Sequence, residues 1–454
     1  MPLSGTMNAV VSVAVSAENF RNSLLNYIQR FSNVLFLDSN TPHSGPVPVT
    51  GIRYDFLAAI GIHCAITDAP ENDSSKINDF IEEQRKMGRW VFGHLSYDFK
   101  NRLEELQSEN PASLNFPETY FFVPEILVLV SEGQAQIHSF GGSAAAILQE
   151  IENAQAVEEF HFPSPQLFHA IDKKKYLETI NTIHQHLGRG DIYEMNFCHE
   201  VIAGGALQPL SAYRKLTALA PNPFAAFYRL NDHYLICSSP ERFICRNGDR
   251  VLSQPIKGTA PRGENPVSDL QYKEQLRGSE KERSENVMIV DLVRNDLSRV
   301  ALKSSVATDE LFGVYTFPKV HQMISTVSCS VNTSTTFMDI VRAAFPMGSM
   351  TGAPKIRAMQ LIEKCEDFRR GLFSGTVGYI SPDGDFDFNV VIRSIQYDAA
   401  NNIIALAAGG AITFNSIPEN EYEETILKLA PQLAALGISR DMWFKFINSR
   451  EHAK

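Results

Sequence analysis

SEKERSENVMIVDLVRNDL, the stretch from Ser279 to Leu297, decides the fold of this chain. Its residue types predict a helix, and Glu282 and Glu285 lie three residues apart on one face of it. Ile289 and Leu292 continue this face at about 3.6 residues per turn, so the two carboxylates extend an apolar stripe that points into the protein. Carboxylates on an inward stripe need partners. An exposed acidic first turn that stabilises the helix dipole would give the same local pattern.

A second acidic pair lies further along the chain in PENEYEETILKLA, which begins at Pro418. Glu421 and Glu424 again have i, i+3 spacing near a predicted helix start, and Lys428 follows one turn later. Two acidic helix ends that converge would form an oxygen-lined site suited to Mg²⁺, which binds a few carboxylates and leaves positions open for substrate oxygens. A magnesium site between the two helices is therefore one interpretation of these pairs.

The segment Leu235–Arg262, LICSSPERFICRNGDRVLSQPIKGTAPR, predicts a β-hairpin around Asn247-Gly248. A strict two-residue turn would place Glu241 and Lys257 on opposite faces, whereas a three-residue loop Asn247–Asp249 places them on the same face. We therefore predict the longer loop or an equivalent bulge.

Glu241 and Lys257 have the chemistry of a catalytic pair if they are buried together. A buried Lys with apolar neighbours loses its proton more easily, which is the condition for it to act as a nucleophile. A Glu in the same setting keeps its proton and can act as a general acid. A surface salt bridge on a hairpin is the simpler alternative.

Two glycine-containing segments have features of anion-binding loops. Gly348–Lys355, GSMTGAPK, lacks the GxxxxGK[ST] pattern because Pro354 precedes the Lys and Ile356 follows it, so nucleotide binding is rejected here. Ala408–Ile412, AGGAI, could bring backbone N–H groups close to an anion because Gly permits a close approach. A plain tight turn would explain the same residues.

Apolar and alternating runs predict strands at Val34–Leu37, Trp90–Gly93 and Phe121–Val130. Pro- and Gly-bearing loops are predicted at Thr41–Pro48 and Asn110–Pro117. The N-terminal third is therefore expected to be α+β.

A Pro-containing stretch at Phe160–Gln166 separates this region from a predicted helix that Asp172 caps. The apolar residues that fall on one face of the helix are Tyr176, Ile180, Ile183 and Leu187. Gly188 is expected to end the helix.

Composition excludes several classes of function. The chain has 454 residues and a net charge of −11 without a basic stripe, so nucleic acid is not an expected partner. The longest early apolar run, Ala9–Val15, is far shorter than the roughly 20 residues that span a bilayer, so no membrane association is expected. The six cysteines lie far apart without metal-ligand spacing, which favours reduced, buried thiols in the cytoplasm.

Five motifs between Asp172 and Leu433 resemble, in the expected order, those of the chorismate-utilising enzymes. This family includes anthranilate synthase large subunits and aminodeoxychorismate, isochorismate and salicylate synthases. The motifs are PIKGTAPRG, SEKERSENVMIVDLVRNDL, GSMTGAPKIRAM, SGTVGYISPDGDFDFNVVIRS and PENEYEET. The N-terminal region is similar more weakly, through RYDFLAAIG at Arg53–Gly61 and GHLSYD at Gly93–Asp98.

The resemblance implies an α+β fold in which two mostly antiparallel β-sheets pack face to face with helices outside. We divide the sequence into an N-terminal α+β region (1–165), a chorismate-binding catalytic domain (166–440) and a C-terminal tail (441–454). This boundary is one of sequence, and N-terminal strands are expected to pair with later ones.

Carried onto this chain, the resemblance implies that Glu285 and Glu424 ligate Mg²⁺ and that Glu282 and Glu421 are second acids near the ion. The ion would hold the ring carboxylate of chorismate. The residues implied to bind the substrate are Thr259, His321, Thr351, Tyr379, Arg393, Gly409, Gly410 and Lys428.

Lys257 in PIKGT decides which member of the family is expected, because the anthranilate, isochorismate and salicylate synthases usually carry Ala there. Lys257 resembles the lysine of aminodeoxychorismate synthases that acts as a nucleophile and attacks C2 of chorismate. An acid at the position of Glu241 protonates the departing C4 hydroxyl. Ammonia then adds at C4 and expels the Lys. The expected product is 4-amino-4-deoxychorismate, the precursor of para-aminobenzoate and folate.

Several positions depart from the family pattern. Glu194 stands where ammonia-using relatives usually have Gln and water-using relatives have Lys, which weakens an isochorismate synthase interpretation. Met347 and Ala411 replace usual glycines. The serine motif of the tryptophan feedback site is present only as FLDSN at Phe36–Asn40, so tryptophan feedback is not predicted.

None of the six cysteines has the GxCxG setting of a class I glutaminase, so a separate glutaminase subunit is expected to supply ammonia. Two alternatives remain open. One is an anthranilate synthase, which would also eliminate pyruvate; the other is a non-catalytic scaffold that anchors a glutaminase.

Overall fold

The computed structural model describes residues 11–40, 51, 53–67, 74–156 and 163–451. The loop predicted at Thr41–Pro48 lies outside these residues, as do the first residues of the Ala9–Val15 run and of the Phe160–Gln166 stretch.

The described residues form many short strands. In chain order these are β1 (Val11–Ala14), β2 (Asn33–Asp38), β3 (Phe56–Ile60), β4 (Cys64–Thr67), β5 (Val91–Leu95), β6 (Thr119–Val123), β7 (Ile126–Ser131), β8 (Gln134–Ser139), β9 (Gln166–Ala170), β10 (Glu194–Gly204), β11 (Phe224–Leu230), β12 (His233–Ser239), β13 (Arg242–Asn247), β14 (Arg250–Gln254), β15 (Ile256–Pro261), β16 (Ala307–Thr316), β17 (Val320–Ser330), β18 (Gly352–Ala353), β19 (Thr376–Ile380), β20 (Phe386–Asn389), β21 (Ser394–Asp398) and β22 (Ile403–Thr413).

The helices of the same residues are α1 (Ala17–Ile28), α2 (Ser74–Lys86), α3 (Lys100–Leu103), α4 (Ala144–Glu152), α5 (Lys173–Arg189), α6 (Pro209–Leu219), α7 (Pro266–Gly278), α8 (Glu280–Ser298), α9 (Phe337–Ala344), α10 (Lys355–Cys365), α11 (Pro418–Ala435) and α12 (Arg440–Glu451). Two short 3-10 helices lie at Tyr97–Phe99 and Gly348–Met350. Every helix in these ranges is too short or too polar to cross a lipid bilayer.

The strands form two sheets. The first sheet has 12 strands in the order β1-β8-β7-β3-β2-β11-β12-β21-β22-β10-β18, with β9 beside β10. The second sheet has 10 strands in the order β15-β17-β14-β13-β20-β19-β5-β6-β4, with β16 beside β17. The paired strands run antiparallel in both sheets. Examples are β10 with β22 in the first sheet and β5 with β19 in the second.

Three apolar layers hold the sheets and helices together. Between the sheets, Leu57 and Tyr228 of the first sheet pack with Phe92 and Phe122 of the second. The outer face of the first sheet buries side chains of α1, α4, α6, α11 and α12, and the outer face of the second sheet buries those of α2, α8 and α9. The predicted fold, two antiparallel sheets face to face with helices outside, is confirmed.

Strand pairing crosses the boundary drawn at residue 165. β2 of the N-terminal region pairs with β11, and β5 pairs with β19. N-terminal strands therefore complete both sheets, as expected. The segment 441–454 contributes to α12, whose Trp443 and Ile447 are buried in the core.

The predicted strands at Val34–Leu37 and Trp90–Gly93 fall within or across β2 and β5. The run Phe121–Val130 was predicted as one strand, which is wrong, because it contains β6 and β7. The chain passes from the second sheet to the first between them, at Pro124, which has no N–H to donate to a ladder. The loop predicted at Asn110–Pro117 has no regular structure, as expected.

Helix α5 confirms the capping and the apolar face predicted from the sequence. The side chain of Asp172 accepts a hydrogen bond from the backbone N–H of Lys175 at 2.7 Å, and all four predicted apolar residues are buried. The predicted end at Gly188 is wrong by two residues. Gly190, with φ +77°, adopts the left-handed conformation that ends the helix.

All six cysteines are free; four are buried and two are half-buried. They are therefore thiols that form no disulfide bond, as the sequence predicted.

Candidate functional site

A cavity of about 620 Å³ lies where β10, β15 and β22 meet the first turns of α8 and α11. Its walls are made by residues that are far apart in sequence. Ten predicted site residues line it, namely Glu241, Lys257, Thr259, Glu282, Glu285, Arg393, Gly409, Glu421, Glu424 and Lys428.

Two further predicted residues, His321 and Thr351, lie behind the cavity wall rather than on it. The ring of His321 makes 3.0 Å contacts through Nε2 with Asp269 Oδ1 and through Nδ1 with Thr316 Oγ1. The hydroxyl of Thr351 donates to the carbonyl of Met347 at 3.0 Å. Both side chains therefore have protein partners, and their neighbours line the cavity instead.

Tyr379 and Gly410 are also absent from the lining residues. Tyr379 borders two other cavities near Arg53, and its ring packs against those of Tyr54 and Trp90. The structure thus does not bring Tyr379 to the other predicted substrate-binding residues. Gly410 is close to the site, since a Cβ added there would lie 3.2 Å from Glu421 Oε2.

Glu241 directly precedes β13 and Lys257 lies on β15, so the β13–β14 hairpin connects two residues that line the same cavity. Asn247 pairs with Arg250, so the turn has two residues, and the predicted three-residue loop is wrong. The register shifts between Arg242 and Cys245, which is the bulge predicted as the alternative. This bulge brings both side chains to one face.

Glu241 is buried, and its surroundings favour the protonated form. Burial raises its pKa to about 7, against the opposing effects of the nearby Ser349 hydroxyl and of the charges of Lys257 and Arg393. A carboxyl group with this pKa holds its proton over much of the neutral range, so it can donate it to a leaving group.

Lys257 has a direct partner that the sequence prediction did not assign. Its Nζ donates to Glu194 Oε1 at 2.9 Å, and the Glu194 side chain is 1% exposed. Burial alone would lower the pKa of Lys257, but Glu194 and Glu285 outweigh it and raise the pKa above the ordinary value. We expected that burial would cause Lys257 to lose its proton more easily. This expectation is wrong, because the amine is paired with the Glu194 carboxylate.

The two acidic pairs converge as predicted from their helices. Ser279 caps α8, and its hydroxyl accepts from the backbone N–H of Glu282 at 3.4 Å. The Nζ of Lys281 lies 3.9 Å from both Glu285 Oε1 on α8 and Glu421 Oε1 on α11. One ammonium group thus bridges the two helices.

Burial raises the pKa of Glu285 to about 7, and it also raises the pKa of Glu421. These carboxylates are short of positive charge in the protein alone. No group of three or more His, Cys, Asp or Glu side chains in the described ranges is arranged to hold a metal ion as it stands. Mg²⁺ needs only one or two protein carboxylates besides water and substrate oxygens. The glutamates that line this cavity on α8 and α11 fit that requirement; they are Glu282, Glu285, Glu421 and Glu424.

The glycine segment Ala408–Ile412 is neither a tight turn nor a loop. It lies inside β22 and pairs with β10. A Cβ on Gly409 would lie 2.4 Å from the carbonyl of Phe197, so Gly permits close strand approach here rather than a turn. The carbonyl of Gly409 accepts from Lys428 Nζ at 2.8 Å.

Two cationic groups face the cavity from this side. Lys428 Nζ is 2.6 Å from Glu424 Oε1. Arg393 has a positive φ of +53° and forms no ion pair within the described residues, and burial lowers its pKa to about 10. An unpaired guanidinium in a cavity is suited to a carboxylate ligand.

Lys281, Glu194, Asn196 and Ser349 were not predicted as site residues. Lys281 precedes Glu285 by four residues on one helix, so helical spacing could have indicated it. Asn196 and Ser349 line the cavity through the meeting of distant segments, for which the sequence has no local signal.

The chain is similar to proteins of one known family. A family model described as chorismate binding enzyme matches residues 35–434. An aminodeoxychorismate synthase of Streptomyces griseus is 44% identical over 267 residues, which are 58% of this chain and 36% of that protein. Component 1 of the aminodeoxychorismate synthase of Klebsiella aerogenes is 36% identical over 342 residues, 75% of each chain. The chain thus spans little more than a third of the Streptomyces protein and three quarters of the Klebsiella protein.

Among solved structures, anthranilate synthase component I from Streptococcus pneumoniae superposes with a TM-score of 0.74 and 25% identity. The superposition covers 86% of this chain and 95% of that one. The two-sheet architecture is shared over nearly the full length of the streptococcal chain.

Proposed function

Because the chain belongs to the family of chorismate binding enzymes, we propose that it converts chorismate and ammonia to 4-amino-4-deoxychorismate, with ammonia supplied by a separate glutaminase subunit. The observation that carries this proposal is the presence of Lys257 and Glu241 on one cavity wall. One is a potential nucleophile and the other an acid whose pKa burial raises to about 7.

Lys257 reacts first in the proposed sequence. Its ammonium group transfers a proton to Glu194 Oε1, to which it already donates a hydrogen bond at 2.9 Å. The freed lone pair on Nζ forms a bond to C2 of chorismate. The two ring double bonds shift, the C4–O bond breaks, and Glu241 donates its proton so that the hydroxyl leaves as water.

Ammonia completes the reaction by the reverse shift. Its lone pair forms a bond to C4, the double bonds move back, and the C2–N bond to Lys257 breaks. The Glu241 carboxylate takes the surplus proton of the new amine, and Glu194 returns its proton to Lys257. The sum is chorismate and ammonia to 4-amino-4-deoxychorismate and water, with both side chains restored.

Substrate binding is assigned to the charged walls of the cavity. Arg393 and Lys428 are the cations suited to the two carboxylates of chorismate. Glu285 and Glu424 would hold Mg²⁺, with Glu282 and Glu421 close by. When bound, the ion would neutralise the acidic wall so that the ring carboxylate can approach it.

The test is product analysis of the purified chain with chorismate, Mg²⁺ and an ammonium salt at mildly alkaline pH. We expect an aminated chorismate by mass spectrometry, with no pyruvate released. Anthranilate with pyruvate would overturn the proposal and assign the anthranilate synthase reaction. Chorismate binding without turnover under these conditions would instead favour a non-catalytic scaffold.

A further inference from the structure

An exposed apolar patch lies at the end of the strand that carries Glu194. Its members, Tyr193, Ile356, Phe414 and Ile417, are between 46% and 70% exposed. We call them the strand-end patch. Scattered apolar residues are common on protein surfaces, but several large ones on neighbouring segments indicate a contact site.

Hydrogen bonds and strand register bring these segments together. Glu194 pairs with Ala353 of β18 on one side and with Thr413 of β22 on the other. Tyr193 directly precedes Glu194, and its N–H donates to the carbonyl of Ala353 at 2.7 Å. Phe414 follows Thr413. The patch therefore surrounds the ends of three adjacent strands.

The two remaining members come from the helices that follow these strands. Ile417 precedes α11, and the backbone N–H of Thr413 donates to Ser416 Oγ at 3.1 Å, which keeps this connection tight. Ile356 lies in the first turn of α10, three residues after Ala353. Arg189, Asp191 and Arg357 form a charged network beside the patch. An apolar centre with a polar rim is typical of protein interfaces.

The patch adjoins the reaction centre along β10, because Tyr193 directly precedes Glu194, whose carboxylate binds Lys257. Glu194 Oε1 binds Lys257, whereas Glu194 Oε2 is buried and has no hydrogen-bond partner among the described residues. An unsatisfied buried carboxylate oxygen is costly in free energy and attracts a hydrogen-bond donor. Ammonia arriving from the side of the patch would meet this oxygen next to the nucleophilic lysine.

Another part of the cavity wall lies on α11, away from the strand-end patch. Leu427, 72% exposed, lines the cavity on α11. It is ten residues beyond Ile417, or about 15 Å along the helix.

We infer that the strand-end patch is the surface on which the ammonia-producing glutaminase subunit docks, so that ammonia enters beside Glu194. The inference rests on the proposed function. Ammonia in solution at neutral pH is mostly ammonium, which has no lone pair for attack at C4, so a delivery route through protein suits the chemistry. The relatives named component 1 are consistent with a second component.

The test measures binding of the full chain to the purified glutaminase subunit of the same organism. Phe414→Glu and Ile417→Glu place a charge in the patch, and Leu270→Glu on α7, also an exposed apolar position, is the matched control. We expect the dissociation constant to rise at least tenfold in the patch variants and less than twofold in the control. Unchanged melting temperatures show that the variants fold.

Rates with two nitrogen sources separate this inference from the proposed function. Glutamine-dependent amination should fall in the patch variants, while amination with an ammonium salt should equal that of the wild type. Wild-type affinity in both patch variants, no binding by the wild-type chain, or a patch that instead mediates self-association would each overturn the inference. If the wild type binds the glutaminase but ammonium gives no aminated product, the proposed function fails. The dissociation constants of the patch variants then still show whether the strand-end patch is the docking surface.

Discussion

At the scale of single residues, the same burial has different results for Glu241 and Lys257. Burial dominates for Glu241, because the nearby charges of Lys257 and Arg393 offset only part of it, so its pKa rises to about 7. Lys257 has Glu194 at 2.9 Å, and its pKa stays above the ordinary value. Near pH 7 the free site therefore holds a charged amine and an acid that is protonated in about half of the molecules. Glu194 is the nearest group that can take the proton from Lys257.

Replacing Lys257 with Ala should remove the nucleophile and lower the rate of chorismate amination on the order of a thousandfold or more. Chorismate binding should persist, because Arg393 and Lys428 remain. The rate is measured by product mass, and an adduct of chorismate on the wild-type chain is sought by intact-protein mass spectrometry. Lys273→Ala on α7 is the control and should keep the wild-type rate. Near-normal turnover by Lys257→Ala would exclude the covalent route.

Glu241 predicts a pH dependence with a definite sign. The active form carries the proton, and the pKa is raised to about 7, so the rate should fall as pH rises above about 7. Glu241→Gln cannot donate a proton; we expect a rate lower by about a hundredfold or more and no such alkaline limb. The profile is measured at saturating Mg²⁺, because Glu285 titrates in the same range.

Glu200 offers a matched control for this pH profile. Burial raises its pKa to about 7 as well, but its side chain accepts a hydrogen bond from Ser113 and does not line the cavity. Glu200→Gln should therefore leave the rate profile unchanged. If the alkaline limb disappeared in Glu200→Gln and persisted in Glu241→Gln, the acid would be misassigned.

At the scale of elements, the site depends on the close approach of β10 and β22. The two strands pair over eleven residues, from Glu194–Thr413 to Gly204–Ile403. In this pairing Glu194 lies opposite Thr413, Asn196 opposite Ala411 and Cys198 opposite Gly409. A strand that carries a polar residue toward the cavity and an apolar one toward the helices follows the period-2 alternation of a sheet.

Gly409→Ala tests this approach. The added Cβ would lie 2.3 Å from Cys198 Sγ and 2.4 Å from the carbonyl of Phe197, so the strands must separate. We expect a loss of thermal stability equivalent to about 1–3 kcal/mol, together with reduced turnover. Gly188→Ala in α5 meets nothing within 4 Å and should instead stabilise by about 0.5–1 kcal/mol. Equal melting temperatures for the two variants would contradict the tight contact.

At the scale of the whole molecule, the sequence predicted what local patterns determine. The acid pairs on α8 and α11 and the cap at Asp172 each follow from spacing along one element. The family resemblance supplied the two-sheet fold and most of the cavity residues.

Contacts between distant segments were beyond such patterns. Glu194 and Lys257 are 63 residues apart and meet only because the two sheets face each other. Tyr379 lies in SGTVGYIS, one of the motifs that carry the family resemblance, yet the alternation of β19 directs it into the layer with Trp90. Phe121–Val130 is split into two strands because the chain passes from one sheet to the other. The hydrophobic pattern of the sequence does not indicate this change.

The two helices that carry the acid pairs belong to different layers, which gives metal binding a consequence for the entire fold. α8 packs on the second sheet, whereas α11 packs on the first. An ion shared by Glu285 and Glu424 would add a link between the layers, with greater charge than the Lys281 ammonium that now bridges them. We therefore expect Mg²⁺ to raise the melting temperature of the full chain.

The size of that shift follows from mass action. At a Mg²⁺ concentration about 100 times the dissociation constant, the stabilisation is about 2.7 kcal/mol, which corresponds to a few degrees for a chain of this size. Glu285→Gln should shrink the shift because it removes a ligand. The shift itself is compared rather than the absolute melting temperature, because neutralising a buried carboxylate with a pKa of about 7 also stabilises the metal-free chain above that pH. Glu274→Gln on α7 should retain the full shift, and an equal shift in Glu285→Gln would place the ion elsewhere.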